Sequence, residues 1–251
     1  NMMNHATQGP YPPGSTFKLI TLLEYIRENP DTWQDFHYTC TGTYTNGDYV
    51  VNCHDGVAHG ELDIYGILGM SCNGAFDTIA QTLNSTKWQK LAEDFGYNQS
   101  DRSQVDFAYK KSHFDIASDD SVWSRMQLAI GQGTTTVTPL LNLMMYAAIA
   151  NDGVMMTPYL VDHYLDANGN VVEQTKPKAL RSVCTKAEAE LMDEFLTYVI
   201  TNGTAAAGGS QYARVSGKTG SAQYDSTKNY HAWFCGYGTN DVSEIAVCVM
   251  I

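Results

Sequence analysis

The chain has 251 residues, 43% of them hydrophobic and 17% charged, a length and composition compatible with one large domain or two intimate subdomains around a real core. Its formal net charge is −12 and its lysines and arginines form no cluster, which argues against binding nucleic acid by phosphate neutralisation. No apolar run is long enough to cross a bilayer, and the first residues do not form a signal peptide.

In chain order, Pro12-Pro13-Gly14-Ser15 reads as a stiff approach to a helix, with Ser15 at or near its N-cap and the helix running to about Glu28, before Asn29-Pro30. Residues 36–53 suggest a small hairpin, and short helices are expected at about 61–69, 72–83 and 85–95. The stretch 98–121 is polar, without a clear period, and is expected to be loop. Thr138–Ala150 reads as an apolar helix ending at Asn151-Asp152-Gly153. Tyr159–Leu165 and Val171–Gln174 flank a hairpin turn at Asn168-Gly169. An amphipathic helix over Lys186–Thr201 precedes three strands at about 213–224, 230–238 and 243–251. Helices in the middle and strands at the end predict an α/β sandwich with a helical insertion at about 29–155.

The first helix carries the most informative pair. Phe17, Leu19, Ile20, Leu22, Leu23, Tyr25 and Ile26 cover nearly its whole circumference, so it should be buried on most sides. Lys18 interrupts that pattern three residues after Ser15, hence on the same face. An amine in apolar surroundings has a lowered pKa, because desolvation disfavours its charged form, and can then act as general base toward a neighbouring hydroxyl. The unpaired backbone N–H of Ser15 at a helix start can meet a developing oxyanion. The bland alternative is a capping serine and a lysine reaching solvent.

Two further motifs follow. In Ser71-Cys72-Asn73 a hydroxyl and an amide on one turn can face a common cleft, although each also caps helices routinely. In Gly217-Lys218-Thr219-Gly220-Ser221-Ala222, glycines within a strand mark a close backbone approach, while the lysine and hydroxyl suit a carboxylate. The bland alternative is a bulged surface strand.

An S-x-x-K, an S-x-N and a K-T-G in this order resemble the penicillin-recognising serine transferase family, and specifically the transpeptidase domain of penicillin-binding proteins. The resemblance extends over Pro10–Lys18, His59-Gly60, Gly131-Gln132-Gly133, Thr138-Pro139, Ala147–Gly153, Lys218–Gln223 and His231–Phe234. The wording after Lys218-Thr219-Gly220 is similar to the class B, monofunctional type. The resemblance implies an antiparallel sheet flanked by helices with an all-helical subdomain, β-lactamase/transpeptidase-like. Upstream strands and a C-terminal helix of that fold are not encoded, so the chain is read as a domain trimmed at both ends, its membrane anchor elsewhere.

The resemblance also implies roles. Ser15 attacks the penultimate D-alanine carbonyl of a D-Ala-D-Ala stem peptide, Lys18 takes its proton, and Ser71 relays one to the leaving amine. Asn73 binds the substrate backbone, Lys218, Thr219, Gly220 and Ser221 form the strand that holds the terminal or β-lactam carboxylate, and the backbone N–H groups of Ser15 and Ser221 form the oxyanion hole. Lys218 beside Lys18 would further keep Lys18 neutral. Peptidoglycan stem peptides and β-lactams are the implied ligands, a membrane glycosyltransferase the implied partner of the parent protein, and the outer face of the bacterial cytoplasmic membrane the implied location. No cofactor or metal is implied.

A β-lactamase is disfavoured because no E-x-x-L-N segment is present and Asn73 stands where class D enzymes carry valine; the same asparagine counts against a β-lactam sensor. A D,D-carboxypeptidase, with water as acceptor, stays open. Cys72, Cys235 and Cys248 read as small buried hydrophobes. Cys40, Cys53, His54 and His59 fit no standard zinc spacing, so a Cys40–Cys53 disulfide or two free thiols is preferred. Trp233 and Tyr237 share one strand face and either line the cleft or pack in the core. The apolar last strand predicts an incomplete sheet with an exposed apolar face, open to a second copy.

Overall fold

The computed structural model describes residues 2–99, 105–224 and 229–251. Its helices are α1 (His5–Gln8), α2 (Lys18–Glu28), α3 (Ile64–Gly69), α4 (Asn73–Ala80), α5 (Ser85–Asp94), α6 (Val122–Ala129), α7 (Pro139–Ala150) and α8 (Lys186–Asn202). The strands are β1 (His37–Cys40), β2 (Thr43–Asn46), β3 (Tyr49–Asn52), β4 (Gly60–Asp63), β5 (Val154–Met156), β6 (His163–Leu165), β7 (Val171–Gln174), β8 (Ala179–Ser182), β9 (Arg214–Gln223), β10 (Tyr230–Thr239) and β11 (Glu244–Met250). Among the described residues no helix is long and apolar enough to cross a membrane.

The long strands form one antiparallel sheet in the order β11-β10-β9. Its inner face carries Ser216, Lys218, Trp233, Cys235 and Tyr237, all buried against the helices. Helix α8 is fixed to this face through Asp193, whose carboxylate accepts from Ser216 Oγ and Tyr237 OH at 2.7 Å each. Trp233 donates from Nε1 to the Pro12 carbonyl at 3.0 Å. Trp233 and Tyr237 are therefore core residues whose polar ends are satisfied internally. On the outer face of β11, Ile245, Val247 and Val249 remain exposed, as expected for an open sheet.

Helix α2 is the centre of the core, with Leu19, Ile20, Leu22 and Leu23 all buried. Burial of such side chains contributes roughly 1.5–3 kcal/mol each. Side-chain caps set the flanking helices. Thr138 accepts from Leu141 N ahead of Pro139 in α7, and Thr185 with Glu188 closes a capping box on α8.

Some elements differ from expectation. Ser15 is not an N-cap: Gly14–Phe17 form a 3₁₀ turn that runs directly into α2. Residues 60–63 pair with β1 as a strand before α3 begins at Ile64. Helix α6 falls just after the expected loop, at residues for which no element was expected, and is capped by Ser121, which accepts from Ser124 N–H. The loop expected over 98–121 is irregular from 105 onward, and residues 100–104 of it lie outside the described residues.

Candidate active site

The turn Gly14–Phe17 presents Ser15 beside the free edge of β9. Gly14 has φ +55°, and a Cβ there would sit 2.7 Å from the Ser221 carbonyl oxygen, so only glycine lets the turn lie on the strand. Its N–H donates to Gly131 O at 3.0 Å. Helix α7 holds the next residue: Asn142 Nδ2 donates to Thr16 Oγ1 at 3.1 Å, and Tyr146 OH to Thr16 O at 2.9 Å. Ser15 itself is half-buried, whereas Thr16, Phe17 and Lys18 are enclosed.

The pairing pattern of the sheet aims β9's backbone at this turn. Ala232 exchanges both backbone hydrogen bonds with Ile251, so its groups face β11. Ser221, opposite Ala232 in register, is therefore in a non-hydrogen-bonded pair, with its N–H and C=O turned away from β10. Gln223, two residues on, points the same way. The Gln132 side-chain amide, in its hydrogen-bonding orientation, accepts from Gln223 N–H at 3.1 Å and donates to Gln223 O at 3.2 Å. The Gly131-Gln132-Gly133 loop thus spans from the Ser15 turn to the strand.

The second motif is built on a helix end. Ser71 N–H donates to Leu68 O at 3.1 Å and Cys72 N–H to Ile67 O at 2.9 Å, the paired bonds of a Schellman motif closing α3. Ser71 occupies its left-handed position at φ +54°, where glycine is usual. A non-glycine residue there costs roughly 1–2 kcal/mol, so the hydroxyl is retained against local preference. Cys72 is the N-cap of α4 and Asn73 its first residue.

Lys18 connects the two motifs. It is fully buried, and its Nζ lies 2.7 Å from Ser71 O, 2.7 Å from Asn73 Oδ1 and 3.3 Å from Ser71 Oγ. Asn73 also donates from Nδ2 to Asn52 O at 2.8 Å, which ties the β2–β3 hairpin to the same cluster. Burial pulls the Lys18 ammonium down to about 8, partly opposed by the nearby Cys72, Asp77 and Cys53. As a neutral amine, Lys18 can donate to the two closer oxygens and accept from the Ser71 hydroxyl, an arrangement that passes a proton in either direction.

The third motif lies on β9. Lys218 is enclosed, donates to Thr219 O at 3.0 Å, and is held well below its ordinary range by burial and then by the charge of Lys18. Thr219 is half-buried, with Oγ1 3.0 Å from Thr204 Oγ1. Gly220 lies against the Ser15 turn, where a Cβ would meet Pro13 O at 3.0 Å. Ser221 is exposed. Lys18 thus meets Ser71 and Asn73 at the α3–α4 junction, while Gly220 and Ser221 of β9 lie against the 3₁₀ turn that carries Ser15, with Thr219 beside Thr204 and Lys218 enclosed on the inner face.

Two features were not read from the sequence. Asp77, one turn after Asn73 on α4, is buried with both carboxylate oxygens lacking a hydrogen-bond partner among the described residues. Burial drives its pKa well above the usual carboxylate range. Its i+4 spacing from Asn73 was the available signal. The other is Cys72, whose Sγ lies 3.7 Å from Cys53 Sγ, while Cys53 Sγ lies 3.6 Å from Cys40 Sγ. Cys40 and Cys53 are unlinked, and His54 points to solvent.

Comparison with known proteins shows the family and the fold. The family model of the penicillin binding protein transpeptidase domain matches residues 1–251. The chain is 24% identical over 257 residues to the peptidoglycan D,D-transpeptidase PbpA of Mycolicibacterium smegmatis, covering all of this chain and 51% of that protein. The solved D,D-transpeptidase domain of a peptidoglycan glycosyltransferase from Eggerthella lenta superposes with a TM-score of 0.88 at 28% identity, covering 99% of this chain and 62% of that one. Penicillin-binding protein A from M. tuberculosis, solved as a ceftriaxone acyl-enzyme complex, has the same fold, with a TM-score of 0.88 at 22% identity over 99% of this chain and 56% of that one. The chain therefore spans only about half the length of the curated relative.

Proposed function

Because this chain belongs to the penicillin-binding protein transpeptidase family, we propose that it is the catalytic unit of a class B D,D-transpeptidase, comprising residues 1–251 with an inserted part at about 29–155 that is not all-helical, since the short strands β1–β4 precede α3–α7 there. It cross-links peptidoglycan stem peptides through a serine acyl-enzyme. The observation that carries this reading is the Lys18 cluster, in which one desolvated amine reaches Ser71 and Asn73 within the turn after Ser15.

Ser15 Oγ attacks the carbonyl carbon of the penultimate D-alanine, and its proton passes to neutral Lys18. Charge develops on the carbonyl oxygen, which the backbone N–H groups of Ser15 and Ser221 stabilise. The C–N bond then breaks, and the departing D-alanine nitrogen receives a proton from Lys18 through the Ser71 hydroxyl. In the second half, the amine of a neighbouring stem peptide attacks the ester and gives up a proton along the same relay. Ser15 is released and the cross-link is an amide.

Thr219 Oγ1 and the exposed edge of β9 bind the terminal carboxylate and align the extended peptide. Lys218 stands behind the strand as an enclosed amine whose charged form is disfavoured by burial and then by the charge of Lys18. Asn73 retains one amide N–H for the substrate backbone while its other groups position Lys18. A β-lactam mimics the donor: Ser15 opens its ring amide, and the tethered leaving nitrogen stays in the site. Ceftriaxone acylation of the mycobacterial relative supports this behaviour. The reading places the protein outside the cytoplasmic membrane, working beside a glycosyltransferase that supplies the glycan strands.

Incubating the folded full-length protein with a β-lactam, followed by intact-mass measurement and peptide mapping, tests the assignment. One adduct on Ser15, absent in Ser15→Ala, is expected; an adduct elsewhere, or none, overturns it. The ratio of cross-linked to hydrolysed stem peptide separates a transpeptidase from a carboxypeptidase.

A further inference from the structure

Four side chains gather under the Ser71 turn. Cys40 ends β1, Cys53 follows β3, His59 precedes β4, and Cys72 caps α4, so four separate segments deliver one ligand atom each. These atoms all lie within 4.8 Å of one another. The closest approaches are 3.6 Å for Cys40 Sγ to Cys53 Sγ, 3.7 Å for Cys53 Sγ to Cys72 Sγ, and 3.3 Å for Cys40 Sγ to His59 Nδ1. A tetrahedral zinc with Zn–S of about 2.3 Å and Zn–N of about 2.0–2.1 Å places sulfurs about 3.8 Å apart and sulfur and nitrogen about 3.6 Å apart. The three closest approaches lie within about 0.3 Å of that tetrahedron, and the remaining pairs, all within 4.8 Å, need to close by about 1 Å at most.

Two independent observations point the same way. Cys72 stands at a helix N-cap, where Ser, Thr, Asp or Asn is preferred, and makes no side-chain cap bond among the described residues. Its sulfur is directed at the other thiols instead. The segment from β1 to β4 is also poor in core: its strands are four residues long, and Cys40, Val51, Cys53 and Leu62 are its buried hydrophobic residues. Two-stranded ribbons of that size are marginal without a staple. A single disulfide would join two of the sulfurs and leave the third and His59 without a role.

We propose that Cys40, Cys53, His59 and Cys72 bind one zinc ion in a closed structural site that pins the β1–β4 segment to the turn carrying Ser71 and Asn73. Binding displaces the three thiol protons and leaves a thiolate-rich centre. Sulfur-rich tetrahedral ligation selects zinc over magnesium, calcium or manganese. With four protein ligands no position is open for water, so the metal has no hydrolytic part. The metal site stands on its own geometry; only its effect on acylation rests on the function proposed above.

The full chain, purified without chelator, is analysed for metal by plasma mass spectrometry. One zinc per chain is expected, retained in Cys248→Ser and lost in Cys40→Ser and Cys72→Ser. Replacing the ion with cobalt(II) in the wild-type chain should give thiolate charge-transfer bands and tetrahedral d–d bands, a readout that depends on no variant. Chelation should lower the melting temperature and slow β-lactam acylation at Ser15. Intact mass showing a disulfide among Cys40, Cys53 and Cys72 overturns the site, as does failure to take up zinc or cobalt with all three thiols free. Full zinc retention in both serine variants also overturns it. Zinc uptake with no acylation of Ser15 would instead leave the metal site standing and remove the proposed function.

Discussion

Lys18 Nζ lies 2.7 Å from Asn73 Oδ1, so the base of the first motif and the amide of the second are joined by a direct hydrogen bond between α2 and α4. The same nitrogen reaches both oxygens of Ser71. The proposed base is therefore oriented by the α3–α4 junction as well as by its own helix. Asn73→Ala should reduce acylation by roughly 10²-fold while leaving the fold intact, on the scale of losing an orienting partner of a general base. Stopped-flow acylation with a chromogenic cephalosporin, beside a thermal melt, checks both halves.

The pH dependence follows from the buried amine. Lys18 is held at about 8, below its ordinary 10.5, chiefly by desolvation. Acylation needs the neutral form, so its rate should rise with pH through an inflection near 8. The stability linkage has the same sign. Between about 8 and 10.5 the unfolded chain binds the extra proton, so this group's contribution to stability increases as pH rises through that window. Lys18→Met should remove the inflection together with most of the rate.

Asp77 provides a second handle on that inflection. Its carboxyl is buried, and its charge raises the pKa of Lys18. Asp77→Asn should move the acylation inflection to lower pH without lowering the melting temperature near neutrality, because the replaced group was already penalised by burial. An inflection that moves upward would contradict this placement of Asp77.

Ser71 separates stability from chemistry. It occupies the left-handed position of a Schellman motif, so Ser71→Gly should stabilise the fold by about 1 kcal/mol, or roughly 2–4 °C for a chain of this size. The same change removes the hydroxyl proposed as the relay and should reduce turnover by roughly 10²-fold or more, on the order expected for proton transfer. Calorimetry and acylation kinetics on one preparation measure the two opposed effects.

Gly14→Ala reports on the approach of the turn to β9. A methyl group at φ +55°, facing Ser221 O, should destabilise by about 1–3 kcal/mol and impair acylation together with folding. Gly47→Ala is the matched control: φ is also positive, at +60°, but nothing lies within 4 Å of the added carbon. It should show only the backbone penalty and keep its acylation rate.

Much of this was legible in residues whose local physics is strong. The burial of α2, the helices α7 and α8, the turn at Asn168-Gly169 and the three long strands follow from periodicity and turn chemistry. What escaped depends on tertiary contact. Ser15 lies in a 3₁₀ turn rather than at a cap because Gly14 is drawn against Gly131 and Ser221. Lys218 looked available for a carboxylate, yet its inward-facing position in β9 encloses it. Cys72 read as one more buried thiol because its three neighbours are scattered along the chain and meet only when the hairpins fold over α4.

The clasp on the nucleophile turn has a consequence in time. Gly14 is bonded to Gly131, and Pro12 receives the indole N–H of Trp233, so segments more than a hundred and more than two hundred residues downstream hold it. Such non-local contacts form late, after their loop-closure entropy has been met. If Ser15 is the nucleophile proposed above, it should stay inert until the closing strands dock. Acylation by a β-lactam can therefore serve as a clock for completed folding, silent on every intermediate in which only the N-terminal helices have assembled.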